Sequence, residues 1–499
     1  MHIVLCAVNA KYIHSNLAVH SIRAYAAKRG VHLDVLEFTI NDTFENLYAR
    51  LLTEHADVLA FSCYVWNIDC VKELICEYSK VSPETEIWVG GPEVSYETED
   101  FLLENPAVYG AVTGEGEETF YQLARYYDRQ CLLDDVDGII YRRPDGSLVR
   151  TRARAPLAMD DLVFPYTDLK AFENKIIYYE SSRGCPFECT YCMSSVDSNP
   201  RFRSLKYVFA ELNYFLENNV KQVKFVDRTF NCNRKHSYAI WKFIKEHDNG
   251  VTNFHFEVAA DILSDEEIGL LATMRPGLVR LEIGVQTTNF EVIRETHRTM
   301  SVGRLEDAVQ RLRAAGNVEL HLDLIAGLPY ESAASFEKSF NDVYALEPHE
   351  LQLGFLKVLK GTGMHANREE YSLTCRDRAP YEILETRWMS AGDILKLKLL
   401  ARMVDMYYNS RQFKRTLKIL ENSFETAYDM YLRIAAQLGE ADMLGRSLSR
   451  REKYDAIFEL ACGVDPQNIQ QYKEALTADW TEREPIRRHP QWAVEELKP

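Results

Sequence analysis

The stretch YYESSRGCPFECTYCMSS, residues 178–195, decides how this chain is read. It sets Cys185, Cys189 and Cys192 at the spacing C-x3-C-x2-C, directly after an apolar, β-prone run. Three thiolates on one short loop can each hold one iron of a cubic iron–sulfur cluster, and the fourth iron then has no protein ligand. An open coordination position is what a catalytic metal site keeps, whereas structural sites are closed. Gly184 permits close backbone approach and Pro186 fixes the turn. Neighbouring backbone N–H groups can help stabilise the cluster's negative charge. A structural zinc knuckle is the competing reading. It needs a fourth ligand, and no Cys or His stands between Cys192 and Cys232.

Around this loop the pattern alternates strands and helices. KIIYYESSRG, VKQVKFVDRTF, NFHFEVAADI, GLVRLEIGVQT, VELHLDLIAGLPY and ELQLGFLKVL are six strand candidates separated by amphipathic stretches. They occupy residues 176–370, fewer than the roughly 250 of a closed eight-fold barrel, so the spacing predicts an open (β/α)6 partial barrel. Upstream, residues 1–130 hold five short apolar runs with helices between them: HIVLCAV, LDVLEF, ADVLAFSCY, EIWVGGPEVS and AVYGAVTGEGEETF. Continuous apolar strands in such alternation predict a doubly wound, Rossmann-like parallel sheet. Residues 131–175 read as a linker with a hairpin around Pro144-Asp145-Gly146. Residues 371–499 read as a helical domain, with Ile394, Leu397, Leu400, Val404 and Tyr407 at helical spacing. The fold class is α/β with a mainly α-helical C-terminal region.

Composition narrows the function. The 499 residues carry 58 Lys+Arg and 75 Asp+Glu, a net −17, which argues against bulk nucleic-acid binding. RTRAR and REPIRRH are basic islands too small to choose RNA. No apolar run approaches a membrane span, and MHIVLCAVNAKY reads as a first strand and not an export signal. Eleven cysteines then imply a reducing, cytoplasmic setting.

The cysteine spacing, with Tyr191 before its third thiol, resembles the signature of the radical S-adenosylmethionine (SAM) superfamily. FVDRTFN (225–231), LEIGVQTTN (281–289), DLIAGLPYES (323–332) and LKGTG (359–363) resemble, in order, later strand motifs of the subgroup with an N-terminal cobalamin domain. Residues 371–499 resemble an uncharacterised extension found on some of its members. The resemblance implies a 4Fe-4S cluster on Cys185, Cys189 and Cys192. It implies reductive cleavage of SAM to a 5′-deoxyadenosyl radical, fed by a one-electron reductant of flavodoxin or ferredoxin type. Residues so implied for SAM are Tyr191, Asp227, Thr229, Gly284, Gln286, Arg298 and Gly327, with Arg294 a further arginine after the same strand. Ser62, Gly90, Gly91, Pro92, Gly114, Glu115 and Gly116 resemble the cobalamin-binding turns.

None of the 13 histidines has an Asp two residues before it, so cobalamin binding without a histidine ligand from below is expected. Methyl transfer to an unactivated carbon is the expected chemistry. A non-methylating radical rearrangement or oxidoreductase, and a corrinoid-binding sensor with a structural cluster, stand beside it. The substrate class stays open among small molecule, peptide and tRNA base. The C-terminal helices are expected to lie over the barrel mouth and shape the pocket.

Overall fold

The computed structural model describes residues 1–483, 490, 492 and 493; the basic island REPIRRH, Arg483 apart, lies outside them. The N-terminal sheet has seven strands. These are β1 (Ile3–Asn9), β2 (Asp34–Thr39), β3 (Val58–Ser62), β4 (Glu86–Gly90), β5 (Gly110–Val112), β6 (Ile139–Arg142) and β7 (Leu148–Arg150). Their spatial order is β2-β1-β3-β4-β5-β6-β7. The first five are parallel, and β1 is buried along its whole length because helices cover both faces.

One feature departs from expectation here. The hairpin within 131–175 is no mere linker: β6 pairs antiparallel to β5, β7 follows, and the sheet becomes mixed. Its physical reason is visible in Ile139, Ile140 and Tyr141, which are buried and join the apolar layers on either side of the sheet.

Next come β8 (Ile177–Tyr179) and a short antiparallel pair, β9 (Ser182–Arg183) with β10 (Arg201–Phe202). The barrel continues through β11 (Gln222–Phe225), β12 (Asn253–Val258), β13 (Val279–Gln286), β14 (Glu319–Ala326) and β15 (Glu350–Phe355). The order β15-β14-β13-β12-β11-β8 is all parallel and open, the six-strand partial barrel. In β13 the apolar Val279, Leu281, Ile283 and Val285 are buried while Arg280, Glu282, Gly284 and Gln286 alternate with them. Such period-2 alternation sends one set to the helices and the other to the barrel lumen.

After residue 370 strands do not stop entirely: β16 (Thr374–Cys375) and β17 (Ile383–Glu385) form a small antiparallel ladder. Helices follow at Ala391–Met403, Lys414–Leu420, Ala427–Glu440, Arg450–Val464 and Ile469–Thr481. They share one apolar core with the barrel. The expectation that they roof the barrel mouth fails. They pack along its β15 side, where the Asn409 amide donates to Leu351 O and accepts from Leu351 N, satisfying backbone groups of the outermost strand.

One buried acid fixes the turn after β14. Glu331 Oε1 accepts from Thr287 Oγ1 at 2.7 Å, while its Oε2 has no partner. Burial pushes this carboxyl up to about 8, so it is held protonated near neutrality. Because the folded chain keeps a proton that the unfolded chain releases above its ordinary 4.5, stability falls as pH climbs from 4.5 to about 8. Glu331→Gln is expected to flatten that fall. It should leave the variant more stable above pH 8 by on the order of a few kcal/mol. Urea melts on both sides of the window test this, and parallel pH profiles would refute it.

Candidate functional site

The cysteine loop is held at both ends before any ligand enters. Cys185 N donates to Asp197 O at 2.9 Å. Gly184 has φ +90°, and a Cβ there would stand 2.9 Å from Asn199 O, so this tight closure requires glycine. Cys185 and Cys189 are buried and Cys192 is half-buried; all three line one cavity of about 210 Å³. Among the described residues no three His, Cys, Asp or Glu side chains converge closely enough for a single metal ion. All three thiols face the one cavity, as a multi-iron cluster held by three cysteines needs.

Beside the thiols stands Arg298. Its Nη1 donates to the Tyr191 hydroxyl at 3.0 Å and lies 3.9 Å from Cys189 Sγ, and its Nη2 donates to Gly284 O. Burial pushes the Cys189 thiol up, and the Arg298 guanidinium opposes that push. A positive charge here is what a cluster of thiolates and sulfides needs. Gly284 leaves the space that Gln286 and Arg298 occupy: a Cβ on it would stand 2.2 Å from Gln286 Nε2. Gln286 Oε1 and Arg298 Nε are buried without partners, one an acceptor and one a donor, as a wall for the amino-acid end of SAM requires.

Tyr191, Thr229, Gly284, Gln286 and Arg298 thus share the cavity with the cysteines. Asp227 does not line it. Its carboxylate accepts from Ser181 N at 3.0 Å and from Ser181 and Ser182 Oγ at 2.6 Å each, so it pins the chain leading into the cysteine loop. Gly327 is also elsewhere: a Cβ there would stand 2.8 Å from Ile383 Cγ2, so the glycine admits β17. Arg294 is exposed outside this cavity.

The lumen above is charged, and sequence reasoning missed this. Register aligns Lys224, His255 and Arg280 across β11, β12 and β13, and Glu257, Glu282 and His321 across β12, β13 and β14. Glu282 Oε2 lies 2.9 Å from His255 Nε2 and 3.0 Å from Lys224 Nζ. Burial raises the Glu282 carboxyl, but His255 and Lys224 together outweigh it and hold it well below the carboxylate range. Glu257 has weaker support, from Lys224 Nζ at 4.0 Å; burial, then repulsion from Glu282, outweighs it and pushes the carboxyl up to about 7. His321 Nε2 is 3.0 Å from Asp323 Oδ1. Charged residues two apart in one strand were the available signal: His255/Glu257, Arg280/Glu282 and His321/Asp323.

A second cavity, of about 600 Å³, opens between the N-terminal sheet and the barrel. Gly114, Glu115 and Gly116 line it with His14, Tyr178 and the Tyr64–Trp66 pair, whose rings stack at 4.3 Å. A wide chamber walled by glycine and flat rings fits a corrin. Gly114 has φ +84°, a conformation that favours glycine. Ser62, Gly90, Gly91 and Pro92 lie at the ends of β3 and β4 but not on this wall. Gly91, at φ +110°, lets the turn pass Cys63, whose carbonyl a Cβ would meet at 2.6 Å. His14 is on the wall with Nδ1 2.5 Å from the Tyr178 hydroxyl; His20 is off it, 3.1 Å from Glu37.

Glu115 does more than line the wall. It accepts from Arg201 at 2.5 Å and from Leu157 N at 2.8 Å, and lies 3.3 Å from Arg183. Arg183 also meets Glu117 at 2.5 Å and Glu180 at 2.9 Å. This buried network joins the turn after β5 to the strand that launches the cysteine loop. The two cavities also meet directly, because Arg228 and Glu257 line both.

The sequence matches the B12 binding domain over residues 3–124, the radical SAM superfamily over 179–343, and a domain described as a protein of unknown function, DUF4080, over 369–499. It is 26% identical over 55% of its length to the uncharacterized methyltransferase PH0819 of Pyrococcus horikoshii. It is 24% identical over 63% to the anaerobic magnesium-protoporphyrin IX monomethyl ester cyclase of Rubrivivax gelatinosus. The matches span 61% and 59% of those two proteins. The structure of the cobalamin-dependent S-adenosylmethionine radical enzyme OxsB with aqua-cobalamin bound superposes with TM-score 0.67 at 15% identity, over 97% of this chain and 81% of that one. The radical SAM domain implies a 4Fe-4S cluster and SAM, the B12 domain implies cobalamin, and the donors and cavities above fit both. The chain therefore joins a B12 binding domain, a radical SAM superfamily domain and a DUF4080 domain, in that order.

Proposed function

We propose that this protein cleaves SAM reductively at its barrel cluster and methylates an unactivated carbon of its substrate. The observation that carries this reading is the common wall: Arg228 and Glu257 face both the thiol-lined cavity and the glycine-turned cavity. A substrate lying across that wall reaches both chambers at once. When bound, the cluster supplies the electron that splits the sulfonium, and cobalamin carries the methyl group.

The chain's own residues position and insulate. Arg298 ties the β13 backbone to Tyr191 and so fixes the distance between strand and cysteine loop. Gln286 Oε1 and Arg298 Nε offer unpaired groups to the amino-acid end of SAM. Arg228 brings a cation to the junction. Glu257, titrating near neutrality, can take or return a proton there. A reductant of flavodoxin or ferredoxin type in a reducing cytoplasm suits the eleven free cysteines. A non-methylating radical reaction is the second reading, favoured by the cyclase relative.

Anaerobic, cluster-loaded protein given methyl-labelled SAM tests this. Release of 5′-deoxyadenosine with label on extracted corrinoid supports methylation. Release without any label transfer favours the second reading. Glu257→Gln is expected to erase a limb near pH 7 from the profile of SAM cleavage. It should slow turnover by about a hundredfold where a proton moves. A profile unchanged from the parent would remove Glu257 from the mechanism.

A further inference from the structure

A third cavity lies at the opposite end of the barrel, where the strands begin. It measures about 420 Å³, within the small-ligand range. Arg313 enters from the end of the helix Val302–Ala315, and His349 from the loop before β15. Tyr407 and Tyr408 come from a π-helical turn, Val404–Asn409, with Arg411 and the exposed Lys414 just beyond. Single π-turns inside helices recur at functional sites. The acids of this wall are already engaged: Glu347 lies 3.4 Å from Lys418 and 3.8 Å from Arg313 Nη2, its carbonyl accepts from Arg313 Nε at 2.7 Å, and Glu421 accepts from the Tyr344 hydroxyl at 2.5 Å.

The hydrogen bonding here is incomplete in a specific way. Leu320 N donates to His349 Nδ1 at 3.1 Å, so a neutral ring must carry its proton on Nε2. Burial, with Arg313 and Arg411 adding to it, pushes His349 down to about 4, so the ring is neutral. Nε2 then faces Arg313 Nη1 across 3.5 Å, donor against donor, with no acceptor between them. Tyr407 Oη is buried and also lacks a partner. Native interiors rarely leave a buried hydroxyl such as that of Tyr407 unpaired.

We propose that this cavity is a second binding site, for a small ligand with a phosphate or carboxylate group beside an aromatic ring. The oxyanion accepts from Arg313 Nη1 and His349 Nε2 with Lys414 at the rim. The ring packs against Tyr408, which is part-exposed on the wall in front of the buried Tyr407. No residue of this cavity lines either cofactor chamber, so the inference stands or falls apart from the proposed reaction.

The test is calorimetric titration of the full chain with phenyl phosphate, benzoate and inorganic phosphate. Phenyl phosphate is expected to bind with a Kd of about 1 mM or tighter, and at least about tenfold tighter than inorganic phosphate. In His349→Asn the amide oxygen can still accept from Leu320 N while the second donor is lost. That variant and the rim change Lys414→Glu are each expected to weaken phenyl phosphate at least about tenfold with the melting curve unchanged. No heat from any probe up to about 10 mM would overturn the site. So would full-strength binding in both variants, which puts the anion elsewhere. Equal affinity for phenyl and inorganic phosphate would overturn the aromatic part.

Discussion

Changing any one of Cys185, Cys189 or Cys192 to alanine is expected to strip the iron–sulfur cluster. SAM cleavage should fall more than about a thousandfold, roughly 4 kcal/mol of barrier. The fold should survive. The loop is held by Cys185 N on Asp197 O and by the β9–β10 ladder, and neither involves a thiol. Trimming one small side chain from a partly open cavity costs about 1–2 kcal/mol or less. Iron and sulfide per chain, with far-UV circular dichroism on the same samples, separate the two effects. Cys76→Ala is the control, since Cys76 is exposed and far from the cavity wall. Retention of iron in any of the three variants would end the catalytic assignment.

The largest effect on stability is expected at Arg183. Its guanidinium lies within 3.3 Å of carboxylate oxygens from Glu115, Glu117 and Glu180 and is largely buried. Burial alone would lower its pKa, but those three carboxylates hold it well above the ordinary arginine value. Arg183→Met leaves Glu117 and Glu180 facing one another without a counter-charge and Glu115 with Arg201 alone, which costs about 3–5 kcal/mol. Arg183→Lys should recover only part, because one ammonium cannot bridge three acids with the geometry of a planar fork. Corrinoid retention should fall in parallel, since Gly114, Glu115 and Glu117 line the second cavity. A loss under about 1 kcal/mol in urea melts would mean that the network is solvated and clamps nothing.

Much of this was legible in the sequence, for physical reasons that differ by residue. The strands announced themselves because a sheet covered on both faces must be apolar throughout, as in IVLCAVN. The cysteine spacing was legible because three ligands on one loop have few other uses. Five of the seven residues proposed for SAM line the thiol cavity: Gly284 and Gln286 at the end of β13, Thr229 past β11, Tyr191 in the cysteine loop itself, and Arg298, for which Gly284 leaves room. Asp227 was misplaced because a motif gives position along the chain but not which way a carboxylate turns. Two serine hydroxyls and a backbone amide had already claimed it. Glu115 belonged to a glycine-rich turn in sequence but proved to be an anchor for Arg201, a partner 86 positions away. The C-terminal helices were sent to the wrong face because amphipathicity records that a face is buried and not against what.

The β6–β7 hairpin bears on how the front half could be handled as a separate piece. A fragment cut at residue 130 would leave Gly110–Val112 as a bare outermost strand, a ready template on which other copies could stack. Extended to about residue 155, the same fragment would carry its own guard rail, two antiparallel rungs ending in Arg150 and Arg152. The natural place to cut is therefore past the basic stretch, some way beyond the point where the helix–strand rhythm first breaks.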